Sequence, residues 1–217
     1  MNRLLGLVVF AGLALTLCAA PAKADSSDVT LNTSTLTGTQ VVVFEFTDGD
    51  GLIDNSLTLS SFNFGGGSAV GLPDYGGTTG VSGNLTSGIS MDDSSGFLAL
   101  FVQDFNPGTS LSFLLNTTDN FAGGSPDVFA MSVCDLSFNC YSDDMNTGAL
   151  LVLSLNGGTL SPSDFTLNGA SAQGLPAPTV GGAAGVPEPG SLLLLASGLL
   201  ALGGSLKIRR RMESSPR

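Results

Sequence analysis

The chain has 217 residues, a formal net charge of -11 and no His or Trp, and its seven Lys and Arg all lie in the two terminal segments, so Asp25 to Glu188 carries no basic side chain. That anionic stretch excludes nucleic acid as a partner, because phosphate binding rests on Lys and Arg. It also lacks the imidazole or lysine that Ser-His, Cys-His, Ser-Lys and Schiff-base catalysis require, leaving only carboxylate-pair chemistry as in glycoside hydrolysis.

The first segment, "MNRLLGLVVFAGLALTLCAAPAKADSS", has the three parts of a secretory signal peptide over residues 1–24. Arg3 provides a positive start, Leu4 to Leu17 an apolar run, and Ala22-Lys23-Ala24 a small-x-small cleavage site, so the mature chain is expected to begin near Asp25. Lipoprotein processing at Cys18 is disfavoured, because Leu17 stands where a small residue is needed.

From 25 to 169, short apolar or alternating runs recur between turn clusters, which predicts an all-β antiparallel sandwich of jelly-roll type. The predicted strands are "VTLNT", "QVVVFEFTD", "SLTLSSFNF", "VSGNLTS", "FLALFVQDF", "TSLSFLLNTT", "DVFAMSVCD", "ALLVLSLNG" and "DFTLNG". Alternation is clear at Leu111-Phe113-Leu115, whereas the unbroken run Phe97 to Val102 suggests a strand buried on both faces. With no basic residue in this region ion pairs cannot form, and stability must come from apolar burial and backbone pairing.

Between the second and third runs, "TDGDGLIDN" clusters Asp48, Asp50 and Asp54 with glycines. The spacing fails as an EF-hand loop: with Gly51 as the central glycine, Phe46 falls at position one and Leu57 at position twelve. A hairpin turn joining "VVVFEF" to "SLTLSSF" accounts for the same residues, while the unopposed negative charge keeps Ca²⁺ binding open. Most other Asp residues sit beside Gly, Asn or Ser, where turns are expected, and no enzyme is expected. Cys134 and Cys140 bracket "DLSFN" and are expected to pair in an oxidising compartment; without His they cannot complete a structural zinc site. Residues 170–185, "ASAQGLPAPTVGGAAG", read as a flexible linker.

The last segment, 186–217, has three parts. "VPEP" occupies 186–189, with Pro187, Glu188 and Pro189 held extended by the two prolines. Residues 191–206 are almost wholly Leu, Ala, Gly and Ser, and as a helix they reach roughly 24 Å at about 1.5 Å per residue, slightly short of a bilayer core. The tail 207–217 begins with Lys207, Arg209, Arg210 and Arg211, which would stay cytoplasmic and orient a transmembrane helix with its N-terminal side outside. A permanent anchor, with Ser191 as N-cap, competes with a processed one.

This order of "VPEP", apolar helix and "KIRRR" resembles the PEP-CTERM sorting signal of Gram-negative bacteria. The resemblance implies a substrate of exosortase, a membrane enzyme associated with exopolysaccharide production. It would recognise Pro187, Glu188 and Pro189, remove the tail and pass the protein to the envelope, outer surface or matrix. The exported domain also resembles a PEP-CTERM subfamily of unassigned function in "VTLNTSTLTGT", "SLTLSSFNFGGGS", "FVQDFNPGTSLSFLL" and "GALLVLSLNGG". The expected role is structural or adhesive in an exopolysaccharide-rich layer. The alternatives are a carbohydrate- or calcium-binding module and, more distantly, a carboxylate-pair glycosidase.

Overall fold

Side chains alternate across a strand, so a period of two lets each strand turn one face inward. The computed structural model describes residues 24–158 and 160–182, and in it this alternation builds two sheets. The strands are β1 (Ala24–Asn32), β2 (Gln40–Thr47), β3 (Ser56–Asn63), β4 (Ser68–Asp74), β5 (Val81–Asn84), β6 (Gly88–Asp92), β7 (Leu98–Asn106), β8 (Ser110–Thr118), β9 (Asp127–Cys134), β10 (Leu151–Leu155), β11 (Phe165–Leu167) and β12 (Thr179–Val180). One sheet runs β12-β1-β8-β3-β6-β5 and the other β11-β10-β9-β2-β7-β4, every pair antiparallel. The described residues therefore form an all-β sandwich. No helix among the described residues is long and apolar enough to cross a membrane. The expected signal peptide up to residue 23, the end of the expected linker, the sorting motif, the expected helix 191–206 and the basic tail lie outside the described residues.

Between the sheets lies an aromatic core. Phe44 of β2 is fully buried and its ring meets Phe101, Phe129, Phe113 and Phe62, with centroids 5.5 to 6.2 Å apart. β8 alternates as expected, with Leu111, Phe113 and Leu115 inward. Polar side chains also enter this interior, Gln103 among them. Gln103 of β7 accepts a hydrogen bond from the Leu85 amide at 3.0 Å and donates to the Gly71 carbonyl at 3.1 Å, tying the β5–β6 hairpin to a bulge in β4.

Three expectations are corrected. β7 is not buried on both faces: Ala99, Phe101, Gln103 and Phe105 point inward, while Leu98, Leu100 and Val102 are half-covered on the outside and Phe97 is exposed. The outer apolar side chains are only partly sheltered, Leu100 for example by the chain at Gly76, where a Cβ would lie 2.7 Å from its Cδ2. Second, "TDGDGLIDN" is no hairpin turn, because β2 and β3 belong to opposite sheets and the loop crosses between them. Third, the expected linker is part of the fold through Gly181. Leu175 is buried and bridges back to Ala170, Thr179 and Val180 pair with Thr30 and Val29, and the Gly181 amide donates to Asp28 at 2.7 Å. Apolar burial of Ala170, Leu175 and Val180 offsets the flexibility that its Gly and Pro content suggested.

Cys134 and Cys140 form a disulfide six residues apart, closing a loop that follows β9. Inside it Asp135 accepts from the Asn139 side chain and from the amides of Asn139 and Ser137, which together hold its carboxyl below the usual range. Replacing both cysteines with serine is expected to lower unfolding free energy by about 2 kcal/mol, the closure entropy of so short a loop. A shift of the urea midpoint with unchanged slope checks this.

Candidate functional site

Five aspartates separated in sequence meet at one end of the sandwich. The β2–β3 crossing brings Asp48, Asp50 and Asp54, the turn between β6 and β7 brings Asp93, and Asp127 opens β9 after the β8–β9 connection. Carboxylate oxygens of Asp54, Asp93 and Asp127 lie within 4.8 Å of one another, as do those of Asp48, Asp50 and Asp127. Asp127 belongs to both groups.

Local hydrogen bonding sets the orientation of each acid. Asp48 and Asp50 turn back on their own loop, accepting from the amides of Gly51 at 2.6 Å and Leu52 at 2.8 Å. Asp127, 2% exposed, accepts from the Gly49 amide and from Asn55 Nδ2, each at 2.8 Å. Gly49 has no substitute here, since a Cβ would fall 2.1 Å from the Pro126 carbonyl oxygen. Asp93, 1% exposed, accepts at one oxygen from the amides of Asp54 at 2.9 Å and Asn55 at 2.7 Å. Its Oδ1 is buried without a hydrogen-bond partner, and so is Oδ1 of Asp54.

Asn55 is the hub of this end. Its amide nitrogen also donates to the Asn120 carbonyl at 2.7 Å, and its oxygen accepts from the Asn120 amide at 2.8 Å and the Thr118 hydroxyl at 3.2 Å. Asn120 returns a bond to the Asp54 carbonyl at 2.7 Å. Electrostatics oppose the gathered charges. Burial pushes the Asp54 carboxyl up, helped by the charges of Asp50, Asp127, Asp93 and Asp48. Burial also raises Asp93, although the amides of Asn55 and Asp54 pull it back.

Asp48 and Asp50 group with Asp127, and Asp54 groups with Asp93 and Asp127, so the three loop acids share Asp127 as a neighbour without forming one set of their own. Neither Asp93 nor Asp127 stands out in the sequence, both lying outside the "TDGDGLIDN" cluster. Asp93 follows the N-cap Asp92 and opens a three-residue 3₁₀ turn, and Asp127 follows Pro126 at a strand start, positions that read as ordinary turn chemistry. The loops also expose Leu52, Ile53 and Phe97 beside the acids. The disulfide-closed loop lies at the other end of β9 from Asp127.

In the sequence, residues 185–211 match the PEP-CTERM protein-sorting motif. No curated protein and no solved structure matches the chain.

Proposed function

We propose that this protein is an exported, non-catalytic component of the cell envelope or extracellular matrix of a Gram-negative bacterium. Exosortase would deliver it through the C-terminal signal, and the sandwich would then serve a structural or adhesive role in an exopolysaccharide-rich layer. The observation that carries this reading is the PEP-CTERM match at 185–211, which begins just past the folded domain's last described residue, 182. Under it, Pro187, Glu188 and Pro189 are presented to the enzyme, and Lys207, Arg209, Arg210 and Arg211 hold the tail on the cytoplasmic side until it is removed. The outer face of one sheet supports surface exposure. Asn116, Thr58, Ser90 and Ser82 lie in one cross-strand row over β8, β3, β6 and β5, a hydroxyl and amide surface without a cation. Such a row can hydrogen-bond polysaccharide without binding it electrostatically.

Mass spectrometry of the surface-associated protein tests the sorting. The mature form is expected to lack "KIRRR", and substituting Pro187, Glu188 and Pro189 by alanine is expected to leave the uncut precursor in the inner membrane. An intact basic terminus on surface material would defeat the reading.

The acidic end favours a second reading, a carbohydrate- or calcium-binding module. The glycosidase alternative is less well served by it, because within each group of three the nearest carboxylate oxygens lie within 4.8 Å, closer than the about 5 to 9.5 Å that such pairs use.

A further inference from the structure

We propose that Asp54, Asp93 and Asp127 form a binding site for one calcium-class divalent cation, which fastens the β2–β3 crossing, the β6–β7 turn and the start of β9 to one another. The acids alone would not carry this. Asp93 does, because it is 1% exposed and one of its carboxylate oxygens has no partner at all. A buried anion in that position is costly unless something positive or a donor meets it. From Asp25 to Glu188 there is no Lys, Arg or His to do so. The backbone has already spent its nearby donors on the other oxygen, the amides of Asp54 and Asn55. The second orphaned oxygen, on Asp54, belongs to the same trio.

Geometry agrees with an ion. Two ligands at the calcium–oxygen distance of about 2.4 Å stand at most about 4.8 Å apart, and the three carboxylate oxygens lie within 4.8 Å of one another. The ligands are also held in advance. Gly49 and Asn55 fix Asp127, and the amides of Asp54 and Asn55 fix Asp93, as outer partners do in metal sites. An all-carboxylate set without thiolate or imidazole selects a hard cation over zinc or copper. The half-exposed Asp54 side leaves room for the water ligands that calcium accepts in an irregular shell. Asp48 and Asp50, joined to the trio through Asp127, add negative charge nearby.

The site depends only on the folded domain, so it can fail while tail processing holds. Full-length protein purified in detergent and stripped with EGTA, then titrated with CaCl₂ alone by calorimetry, tests it. One ion per chain is expected, with the melting temperature rising by about 5–10 °C at a hundred-fold excess over Kd. Asp93→Asn keeps the acceptor for the two amides and should fold; it is expected to weaken calcium binding about ten- to hundred-fold. Asp54→Asn, on the half-exposed side, should do likewise, and it serves as the deciding variant if Asp93→Asn fails to fold by circular dichroism. Asp74→Asn, on the edge strand β4, should leave binding unchanged. Absence of saturable heat and of any melting shift up to millimolar calcium would overturn the proposal. So would undiminished binding in the folded Asp93→Asn or Asp54→Asn protein.

Discussion

Phe44→Ala is expected to destabilise the domain by about 3–5 kcal/mol, the usual cost of removing a buried Phe from a packed core. The ring sits on β2, the strand flanked by β7 and β9, opposite Phe101 on one side and Met131 on the other. Phe129 stacks against it at 5.9 Å, while Phe113 meets it edge-on at 5.5 Å and Phe62 lies 6.2 Å away, both from the facing sheet. Truncation would open a void between two sheets that hydrogen-bonded ladders hold in place, so collapse around it is restricted. Phe44→Leu, which retains most of the volume, should cost well under half as much. Phe97→Ala, at an exposed ring, should stay within about 0.5 kcal/mol of the parent. Urea unfolding of the three proteins checks the order, and a Phe44→Ala cost near that of Phe97→Ala would mean that the sheets do not close on this ring.

Much of the sandwich was legible because alternation is a local property. Leu111, Phe113 and Leu115 declare the inward face of β8 without reference to any other strand. What was not legible depends on partners. β4 does not stand out in the sequence because Gly71 and Pro73 interrupt it, and both are tolerated since it is an edge strand with a bulge. β12 is two residues long and exists only through its pairing with β1. The run through Leu100 and Val102 read as doubly buried because hydropathy cannot say how completely an outer face is covered.

The acidic end repeats this lesson for function. Asp48, Asp50 and Asp54 announce themselves as a cluster in one loop, yet that loop was read as a hairpin because sequence does not reveal that β2 and β3 belong to different sheets. Once the chain crosses the sandwich, Asp54 meets Asp93, 39 residues on, through the Asp54 amide, and Asn55 meets Asp127, 72 residues on. No local spacing rule connects such residues. The sorting signal is the opposite case: its parts are consecutive, so reading order alone exposes it.

Asn55→Ala is expected to cost about 3 kcal/mol, more than the loss of the disulfide, although it removes no apolar surface to speak of. Asn55 is 3% exposed and uses both ends of its side chain. Nδ2 donates to Asp127 and to the Asn120 carbonyl, and Oδ1 accepts from the Asn120 amide and Thr118. Alanine leaves those groups without their partner, and stranded buried polar groups cost about 1–3 kcal/mol each, partly relieved where water enters. Asn55→Asp separates the two halves of the role. It keeps an acceptor for Asn120 and Thr118 but replaces the donor 2.8 Å from Asp127 with another carboxylate. In calcium-free buffer of low ionic strength Asn55→Asp should therefore be at least as unstable as Asn55→Ala, and the gap should shrink in high salt for whatever part of the repulsion solvent reaches. Urea midpoints of both variants at two ionic strengths decide it. If Asn55→Asp were as stable as the parent, Asn55 would not be acting as the donor that holds Asp127 in place.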